Sequence, residues 1–239
     1  MPHRTYSIRE AAEYLHVSED EIHELIRAGD IPCERVGSRV VFRRATLDGW
    51  ASRRVLGLPP PRLRALERGV QRRRAERGDE SLRLTNLLDA ARIDPALDAR
   101  TRASVLRELS AWAERTGGVA DASELCAALE AREALGSTAL PGGVAVPHPE
   151  HHREWLFNGS FVLLARTRQP VPFGAPDGGL TDIFFLLALD DPSLHLPVLS
   201  RVCAVCHHTR LLTQLREASS ADEMLEAVRQ AEEEVLRLV

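Results

Sequence analysis

The stretch TDIFFLLALDD at residues 181–191 is the feature that most constrains the fold of this 239-residue chain. Its apolar residues follow one another almost without interruption, which is typical of a strand buried inside a domain. Around it, residues 81–239 alternate between helical and strand patterns. The second part of the chain therefore predicts an α/β domain, with a mixed sheet flanked by helices.

Apolar spacing predicts the order of the elements in this domain. A strand in the segment LPGGVAVPH is expected to end at His148. The other expected elements are a short helix and turn at 84–93, helices at 98–116 and 121–135, strands at 159–173 and 181–191, and helices at 193–217 and 221–236.

A basic segment separates this domain from residues 1–54. Residues 53–80 hold nine arginines and four acidic residues, whereas residues 1–52 and 81–239 carry net charges of −2 and −7. The part from 55 to 80 opens with three prolines and predicts a Pro- and Arg-rich connector that is partly helical. Nucleic-acid contact, self-association and a solvated charged helix all remain open for this connector.

The first domain contains two short helical patterns separated by a three-residue turn, HVS. Ser7 with Glu10, and Ser18 with Glu21, each fit a capping box at the start of a helix. Gly29 is expected to end the second helix. This spacing is typical of a helix-turn-helix.

A hairpin and a further helix are expected to follow. The segment IPCERVGSRVVFRR predicts a hairpin with Gly37-Ser38 at its tip, and Thr46 is expected to cap the last helix. With the two helices, the stretch SIREAAEYLHVSEDEIHELIRAGDIPCERVGSRVVFRRATLDGW resembles the excisionase and MerR-like winged helix-turn-helix family over residues 5–54. The resemblance implies that the second helix enters the major groove of DNA while the hairpin wing contacts the backbone.

The charges of this domain are mixed for a DNA-binding role. The second helix begins with Glu19, Asp20 and Glu21, and carboxylates oppose an approach to phosphates although they suit the helix dipole. We favour DNA contact because arginines cluster in the wing, and a helix-turn-helix used for protein contacts is the alternative. The candidate DNA contacts are His23, Arg27, Arg35, Arg39, Arg43 and Arg44.

A histidine follows the first strand of the second domain, in the run GGVAVPHPEHH at 142–152. Pro147 fixes the backbone before His148, so a backbone group can hold one ring nitrogen while the other is exposed. A nucleophilic histidine needs this arrangement. From these residues alone, a surface histidine in a loop is the alternative, and it is the interpretation we prefer for His151 and His152.

Two longer stretches carry a second resemblance. LEAREALGSTALPGGVAVPHP and PVPFGAPDGGLTDIFFLLALDDPSLHLPVLSRV are similar to the enzyme IIA domain of the fructose–mannitol and nitrogen-regulatory phosphotransferase family, over residues 82–236. The matching features, in the expected order, are Arg132-Glu133, Gly136-Ser137-Thr138, the Ala-Val-Pro-His run, the aspartate-led apolar strand and His195-Leu196.

This resemblance implies that His148 accepts a phosphoryl group from a histidine phosphocarrier protein. His195 would donate a hydrogen bond to the phosphoryl oxygens or to His148, and Arg132 would supply a charge-assisted fork. Ser137 and Thr138 are candidates for further contacts with the phosphate. A surface salt bridge is the alternative for Arg132, and an exposed position at a helix N-terminus is the alternative for His195.

No cofactor is expected, because the phosphoryl donor is itself a protein. We expect no metal site either. The run CAVCH at 203–207 has the spacing of a haem attachment site, but it lies in a helical pattern that turns both thiols toward the core. A zinc site is disfavoured because no second pair of ligands stands at finger spacing.

Pro149 departs from the small residue that usually follows the phosphorylated histidine in this family. Proline removes a backbone N–H that could bind the phosphoryl group. Its effect on phosphorylation therefore remains open.

The sequence as a whole predicts a bacterial regulatory protein, and a phosphocarrier if the site is active. It has no run of 18 apolar residues and no apolar leader, so we expect a cytoplasmic protein without a membrane partner. All 31 basic residues are arginine, which suggests a G+C-rich bacterial genome. The alternatives are a DNA-binding or scaffold protein that is not phosphorylated, and a phosphocarrier component of sugar uptake.

Overall fold

The computed structural model describes residues 5–76, 82–150 and 156–238. His151, His152 and the last residues of the predicted connector lie outside the described residues. Within the described ranges the fold is α/β, as expected. It joins a winged helix-turn-helix to a mixed sheet that has helices on both faces.

The helix-turn-helix forms at the predicted positions. Helix α1 spans Ile8–Leu15 and α2 spans Glu19–Ala28. The predicted Ser7 capping box is complete. At Ser18 only half of the predicted box forms: the Ser18 hydroxyl accepts a hydrogen bond from the Glu21 N–H, and the Glu21 side chain does not return one. His16 turns the chain between the helices with a φ of 57°, a left-handed conformation that few residues other than glycine adopt.

A three-stranded sheet forms the wing. Strands β1 (Thr5–Tyr6), β2 (Glu34–Val36) and β3 (Arg39–Arg43) are antiparallel in the order β1-β3-β2. Gly37 and Ser38 lie at the hairpin tip, as predicted, because Val36 pairs with Arg39.

The third helix starts earlier than predicted. Helix α3 spans Arg44–Leu56, and its N-cap is Arg43, which makes no side-chain capping bond. Thr46 lies inside the first turn, so the prediction that it caps this helix was wrong. The physical reason is that β3 runs directly into α3, which leaves no loop in which a capping residue could stand.

The connector forms helix α4, which spans Pro60–Glu76. Leu63, Glu67 and Val70 are buried, so this helix is packed against the rest of the chain rather than solvated all round. Its Arg73 donates to Val17 O (Nη2, 2.5 Å) and thereby ties the connector to the helix-turn-helix.

The second domain contains the remaining elements of the described chain. Single 3₁₀ turns lie at Leu84–Asn86 and Ala90–Arg92. The strands are β4 (Ile93–Leu97), β5 (Ala139–Leu140), β6 (Val144–Ala145), β7 (Phe161–Val171) and β8 (Thr181–Ala188); the helices are α5 (Arg102–Arg115), α6 (Ala122–Ala134), α7 (Pro192–His208), α8 (Leu211–Glu217) and α9 (Ala221–Arg237).

The five strands form one mixed sheet in the order β4-β7-β8-β6-β5. Strand β8 is central, antiparallel to β7 and parallel to β6. Its Ile183, Phe185 and Leu187 face the core beneath α7–α9, whereas Phe184 and Leu186 face the core beneath α5 and α6. Burial on both faces explains why this strand is apolar almost throughout.

The predicted secondary structure differs from the observed one in three segments of the second domain. The strand expected at 140–148 is the short hairpin β5–β6, because Gly142 and Gly143 have φ values of 91° and 86° that turn the chain. Strand β4 was not predicted; it is a short edge strand interrupted by Pro95. The helix expected at 193–217 divides into α7 and α8, because the Thr209 hydroxyl accepts from the Leu211 N–H.

Candidate phosphoacceptor site

Two backbone hydrogen bonds place His148 at the edge of the sheet. The Val146 N–H donates to Thr138 O at 3.1 Å, and the Leu187 N–H donates to Pro147 O at 2.9 Å. The chain thus stays attached to β8 beyond the end of β6, and His148 follows directly. The imidazole is 1% exposed.

The hydrogen bonds of His148 define which ring nitrogen can react. Nδ1 lies 2.7 Å from Val146 O, so this nitrogen carries the hydrogen and donates it. Nε2 lies 3.2 Å from Arg132 Nε, which can only donate, so the lone pair of the ring is on Nε2. Burial, with the charges of His195 and Arg132, holds the pKa of His148 well below its usual value. The ring is therefore neutral and keeps a nucleophilic Nε2 at neutral pH.

Arg132 is buried beside this nitrogen, which excludes the surface salt bridge considered as its alternative. It is 1% exposed and its Nη1 donates to Gly136 O at 2.9 Å. Among the described residues, its Nη2 has no hydrogen-bond partner. A buried guanidinium N–H without an acceptor is a costly feature, and an anion bound at His148 would satisfy it.

His195 packs against the His148 ring. It is the fourth residue of α7, whose N-cap is Asp191. The two imidazoles are edge to face, with ring centroids 5.0 Å apart. The structure thus brings together His148, Arg132 and His195, three residues that the sequence separates by up to 63 positions.

Ser137 and Thr138 use their hydroxyl groups elsewhere in this arrangement. The Ser137 hydroxyl donates to Phe173 O at 2.8 Å, and the Thr138 hydroxyl donates to the Glu133 carboxylate. Their role as phosphate contacts stays a prediction, and it would require these hydrogen bonds to be exchanged for bonds to the phosphoryl oxygens.

Helix α3 of the first domain adds residues to the site that the sequence did not indicate. Ser52 is 2% exposed, and its Oγ lies 2.8 Å from His195 Nε2. The two residues are 143 positions apart, and no periodic pattern or motif links them. Only the packing of one domain on the other brings them together.

Asp48 is the second α3 residue at the site. It is 7% exposed, accepts a hydrogen bond from the Tyr14 hydroxyl, and lies 3.9 Å from Arg44 Nε. Burial raises its pKa to about 7. With Glu150 and His195, Asp48 lines a cavity of about 20 Å³, which has room for roughly one water molecule.

The DNA candidates of α2 lie on the surface. His23 and Arg27 are exposed, and Arg27 is 4.0 Å from Glu24. Glu19 and Asp20 are exposed on the same helix. The surface that would approach DNA therefore carries both signs of charge.

The wing presents a more basic surface. Arg35 and Arg39 are exposed on the hairpin, and Arg43 forms an ion pair with Glu34 across the strands (2.6 Å). Arg44 begins α3 and is half-buried. Contact of these residues with DNA stays a prediction.

The cysteines of the CAVCH run lie in the core, as predicted. Cys203 and Cys206 are buried in α7, and burial raises the pKa of both thiols. Across residues 5–76, 82–150 and 156–238, no three histidine, cysteine or acidic side chains are grouped as metal ligands. None of the helices in these ranges is long and apolar enough to cross a membrane.

Comparisons with known families match both domains. Residues 86–231 match the family model described as phosphoenolpyruvate-dependent sugar phosphotransferase system, EIIA 2. Residues 5–55 match the model of a helix-turn-helix domain. The two matches together account for most of the chain.

Individual relatives agree with the larger match. A nitrogen regulatory protein of Bradyrhizobium diazoefficiens is 31% identical over 140 residues, which cover 58% of this chain and 89% of that protein. The fructose-like EIIA component of the PTS system of Escherichia coli is 27% identical over 145 residues, 60% of this chain and 95% of that protein. The crystal structure of nitrogen regulatory protein IIA-Ntr from Neisseria meningitidis has a TM-score of 0.55 at 28% identity, covering 61% and 98% of the two chains.

Proposed function

The chain belongs to the phosphotransferase system EIIA 2 family, and from this we propose that it is a regulatory protein phosphorylated on His148 by a histidine phosphocarrier protein. Its domains are an EIIA domain resembling the nitrogen regulatory proteins and a helix-turn-helix domain. The observation that carries the proposal is the buried Nε2 lone pair of His148, held beside the unsatisfied Nη2 of Arg132.

The geometry supports transfer between two histidines without a change in protonation. Nε2 of His148 attacks the phosphorus of the carrier's phosphohistidine, and the bond from phosphorus to the carrier nitrogen breaks as the new bond forms. The hydrogen stays on Nδ1 and keeps its hydrogen bond to Val146 O, and this carbonyl oxygen stabilises the positive charge that the attack leaves on the ring.

Arg132 acts on the charge of the transferred group. As phosphorus bonds to Nε2, the Arg132 Nε–H loses its acceptor and can bond a phosphoryl oxygen instead. Nη2 can donate to a second oxygen, which gives the two-pronged contact that suits phosphate. His195 is placed to donate to the third oxygen after its bond to Ser52 is released.

A regulatory role rests on the names of the relatives and on the domain arrangement. The nitrogen regulatory protein of Bradyrhizobium diazoefficiens is a regulator by name, and a helix-turn-helix is a common means of DNA binding. The fructose-like EIIA component supports the phosphotransfer chemistry. We propose that the exposed wing arginines contact the DNA backbone.

Labelling with phosphoenolpyruvate tests the phosphoacceptor role. The full chain is incubated with the general phosphotransferase enzyme, a histidine phosphocarrier protein and labelled phosphoenolpyruvate. Acid-labile label is expected on the wild type and absent from His148→Ala, whereas His151→Ala and His152→Ala are neighbouring controls that should label normally. Equal labelling of the wild type and His148→Ala would show that the phosphate lies elsewhere.

Salt-dependent DNA binding tests the other half of the proposal. Arg39→Ala in the full chain is expected to lower the slope of log affinity against log salt by about one. Arg229→Ala, which removes an exposed arginine of α9, is the matched control. If the full chain does not bind DNA at low salt, the wing does not contact DNA. The same conclusion follows if both variants show the wild-type slope of log affinity against log salt.

A further inference from the structure

Helix α3 covers the phosphoacceptor site with residues of the first domain. Ser52 binds His195, and Asp48 forms part of the cavity wall. The backbone of α3 also approaches the site closely at Gly49, where an added Cβ atom would lie 3.0 Å from Glu150 Oε1. The loop that carries His148 is thus in contact with a helix from the other domain.

The covered site has too little room for the reaction. His148 is 1% exposed. The neighbouring cavity of about 20 Å³ is lined by His195, Pro149 and Asp48 rather than by His148 itself. A phosphoryl group brings a phosphorus atom and three oxygens, and the carrier must place its own histidine in line behind them. Neither the buried ring nor this cavity, which has space for roughly one water molecule, can admit these groups. An element that covers the site must therefore move before transfer, and α3 lines the cavity through Asp48.

Electrostatic repulsion also favours release of α3 after His148 has been phosphorylated. Asp48 and Glu150 both line this cavity, and a phosphoryl group on His148 places close to two negative charges near them. Burial raises the pKa of Asp48 to about 7, so Asp48 is partly protonated at neutral pH and Glu150 carries most of the opposing charge. Arg53 adds positive charge at the rim, but its side chain is exposed and therefore screened. Return of α3 over the phosphorylated site would bury like charges together.

The packing on the other side of α3 leaves it room to move. A cavity of about 250 Å³ lies between α2, α3 and α4, lined by Trp50, Val55 and Leu66 among others. The cavity lowers the packing density on this side of α3, so a shift of α3 loses fewer contacts than it would in a filled core, although Ala51 and Val55 are buried.

We propose that α3 and a phosphohistidine-bearing carrier protein compete for one surface around His148 and His195, so that phosphorylation displaces the helix-turn-helix domain. This inference rests on the proposed function of His148. The surface has two alternative occupants: α3 of the same chain before phosphorylation, and the carrier protein during transfer. Phosphorylation of His148 would therefore change the position of the helix-turn-helix domain relative to the EIIA domain.

Gly49→Leu tests the competition in the full chain. Leucine suits a helix better than glycine, but at this position it meets Glu150, so it wedges α3 away while α3 stays helical. Labelling of His148 in this variant is expected to be faster than in the wild type by roughly tenfold or more, because the site is open in a larger fraction of molecules. Ala45→Leu makes a similar increase in size on the exposed side of the same helix and should label as the wild type does.

Hydrogen exchange gives a second readout that does not depend on the rate of transfer. Backbone amides of 44–56 and 192–200 are expected to exchange faster in Gly49→Leu, and also in phosphorylated wild type, than in unphosphorylated wild type. Unchanged exchange in the phosphorylated wild type would overturn the displacement.

The labelling results distinguish failure of the proposed competition from failure of the proposed phosphoacceptor role. Phosphoramidate, a small-molecule donor, is used in parallel with the carrier protein. Equal rates in the wild type and Gly49→Leu with both donors would overturn the competition and leave the phosphoacceptor role intact. Absence of His148 labelling in both proteins with both donors would overturn the phosphoacceptor role, and the competition with it.

Discussion

The two domains meet at two interfaces that differ in chemistry. At the connector interface, α4 packs on α7 through Glu67, whose carboxylate receives the Arg201 Nε–H at 2.7 Å. Arg201 also donates to Glu232 of α9 at 3.1 Å, and all three side chains are at most 1% exposed. At the cover interface, α3 meets the phosphoacceptor site through the hydrogen bond between Ser52 and His195, the close approach of Gly49 to Glu150 and a small cavity. Ala51 and Val55 of α3 also share an apolar core with α7.

The contrast indicates which interface is permanent. Separating the connector interface would leave buried charges without partners, which is costly. Separating the cover interface exposes a hydroxyl, two carboxylates and an imidazole, which water can solvate. It also exposes the small apolar side chains of Ala51 and Val55, which costs less than leaving buried charges unpaired. We therefore expect α4 to stay attached to α7 while α3 is released together with the helix-turn-helix, which requires the hydrogen bond from Arg73 to Val17 O to break.

Arg201→Leu should give the largest effect. It leaves Glu67 and Glu232 buried without their cation, so the free energy of unfolding is expected to fall by about 3–5 kcal/mol. Arg229→Leu, which breaks the exposed pair with Glu226, should change it by about 0–1 kcal/mol. Urea unfolding followed by circular dichroism measures both. Similar small losses in the two variants would mean that the connector interface is no firmer than a surface ion pair.

Asp48→Asn should change how stability depends on pH. The pKa of Asp48 is raised from 3.8 to about 7, so the folded chain holds more protons than the unfolded chain between these values. The wild type therefore loses stability as the pH rises through this window, and the loss persists above it. The variant lacks this loss and should gain about 2–3 kcal/mol relative to the wild type between pH 5 and pH 8.

The control for this prediction is Asp222→Asn, at an exposed position of α9. Its stability relative to the wild type should vary little over the same pH range. If Asp48→Asn behaves like Asp222→Asn, the carboxylate of Asp48 is already solvated and the cover interface is open.

Ser52→Ala should give the smallest effect. It removes the hydrogen bond to His195, which is worth about 1 kcal/mol. Labelling of His148 is expected to become about fivefold faster, because the covered state loses that stabilisation. Ser38→Ala, at the exposed wing tip, is the control. Slower labelling of Ser52→Ala would instead assign Ser52 a part in the transfer itself.

The features of the fold that were predicted well are those that depend on residues close together in the sequence. The caps at Ser7, Ser18 and Gly29 formed as expected, because capping involves residues only three or four positions apart. The hairpin β5–β6 was missed because Gly142 and Gly143 stand inside an apolar run that has the length of a strand.

The cover of the site could not be predicted from the sequence. The core of the site, with His148, Arg132 and His195, was expected from the resemblance to a family, and the structure brings these residues together. Ser52 and Asp48 lie in the other domain, and their position depends on packing between domains, which leaves no periodic pattern in either segment.

The bond from His148 Nδ1 to Val146 O has a consequence for the chemical identity of the product. A histidine can carry phosphate on either ring nitrogen, and the two products are different regioisomers. Here one nitrogen is bound to a carbonyl of the same loop, two residues away, and the other is the one that faces Arg132. The product should therefore be a single regioisomer, with phosphate on Nε2.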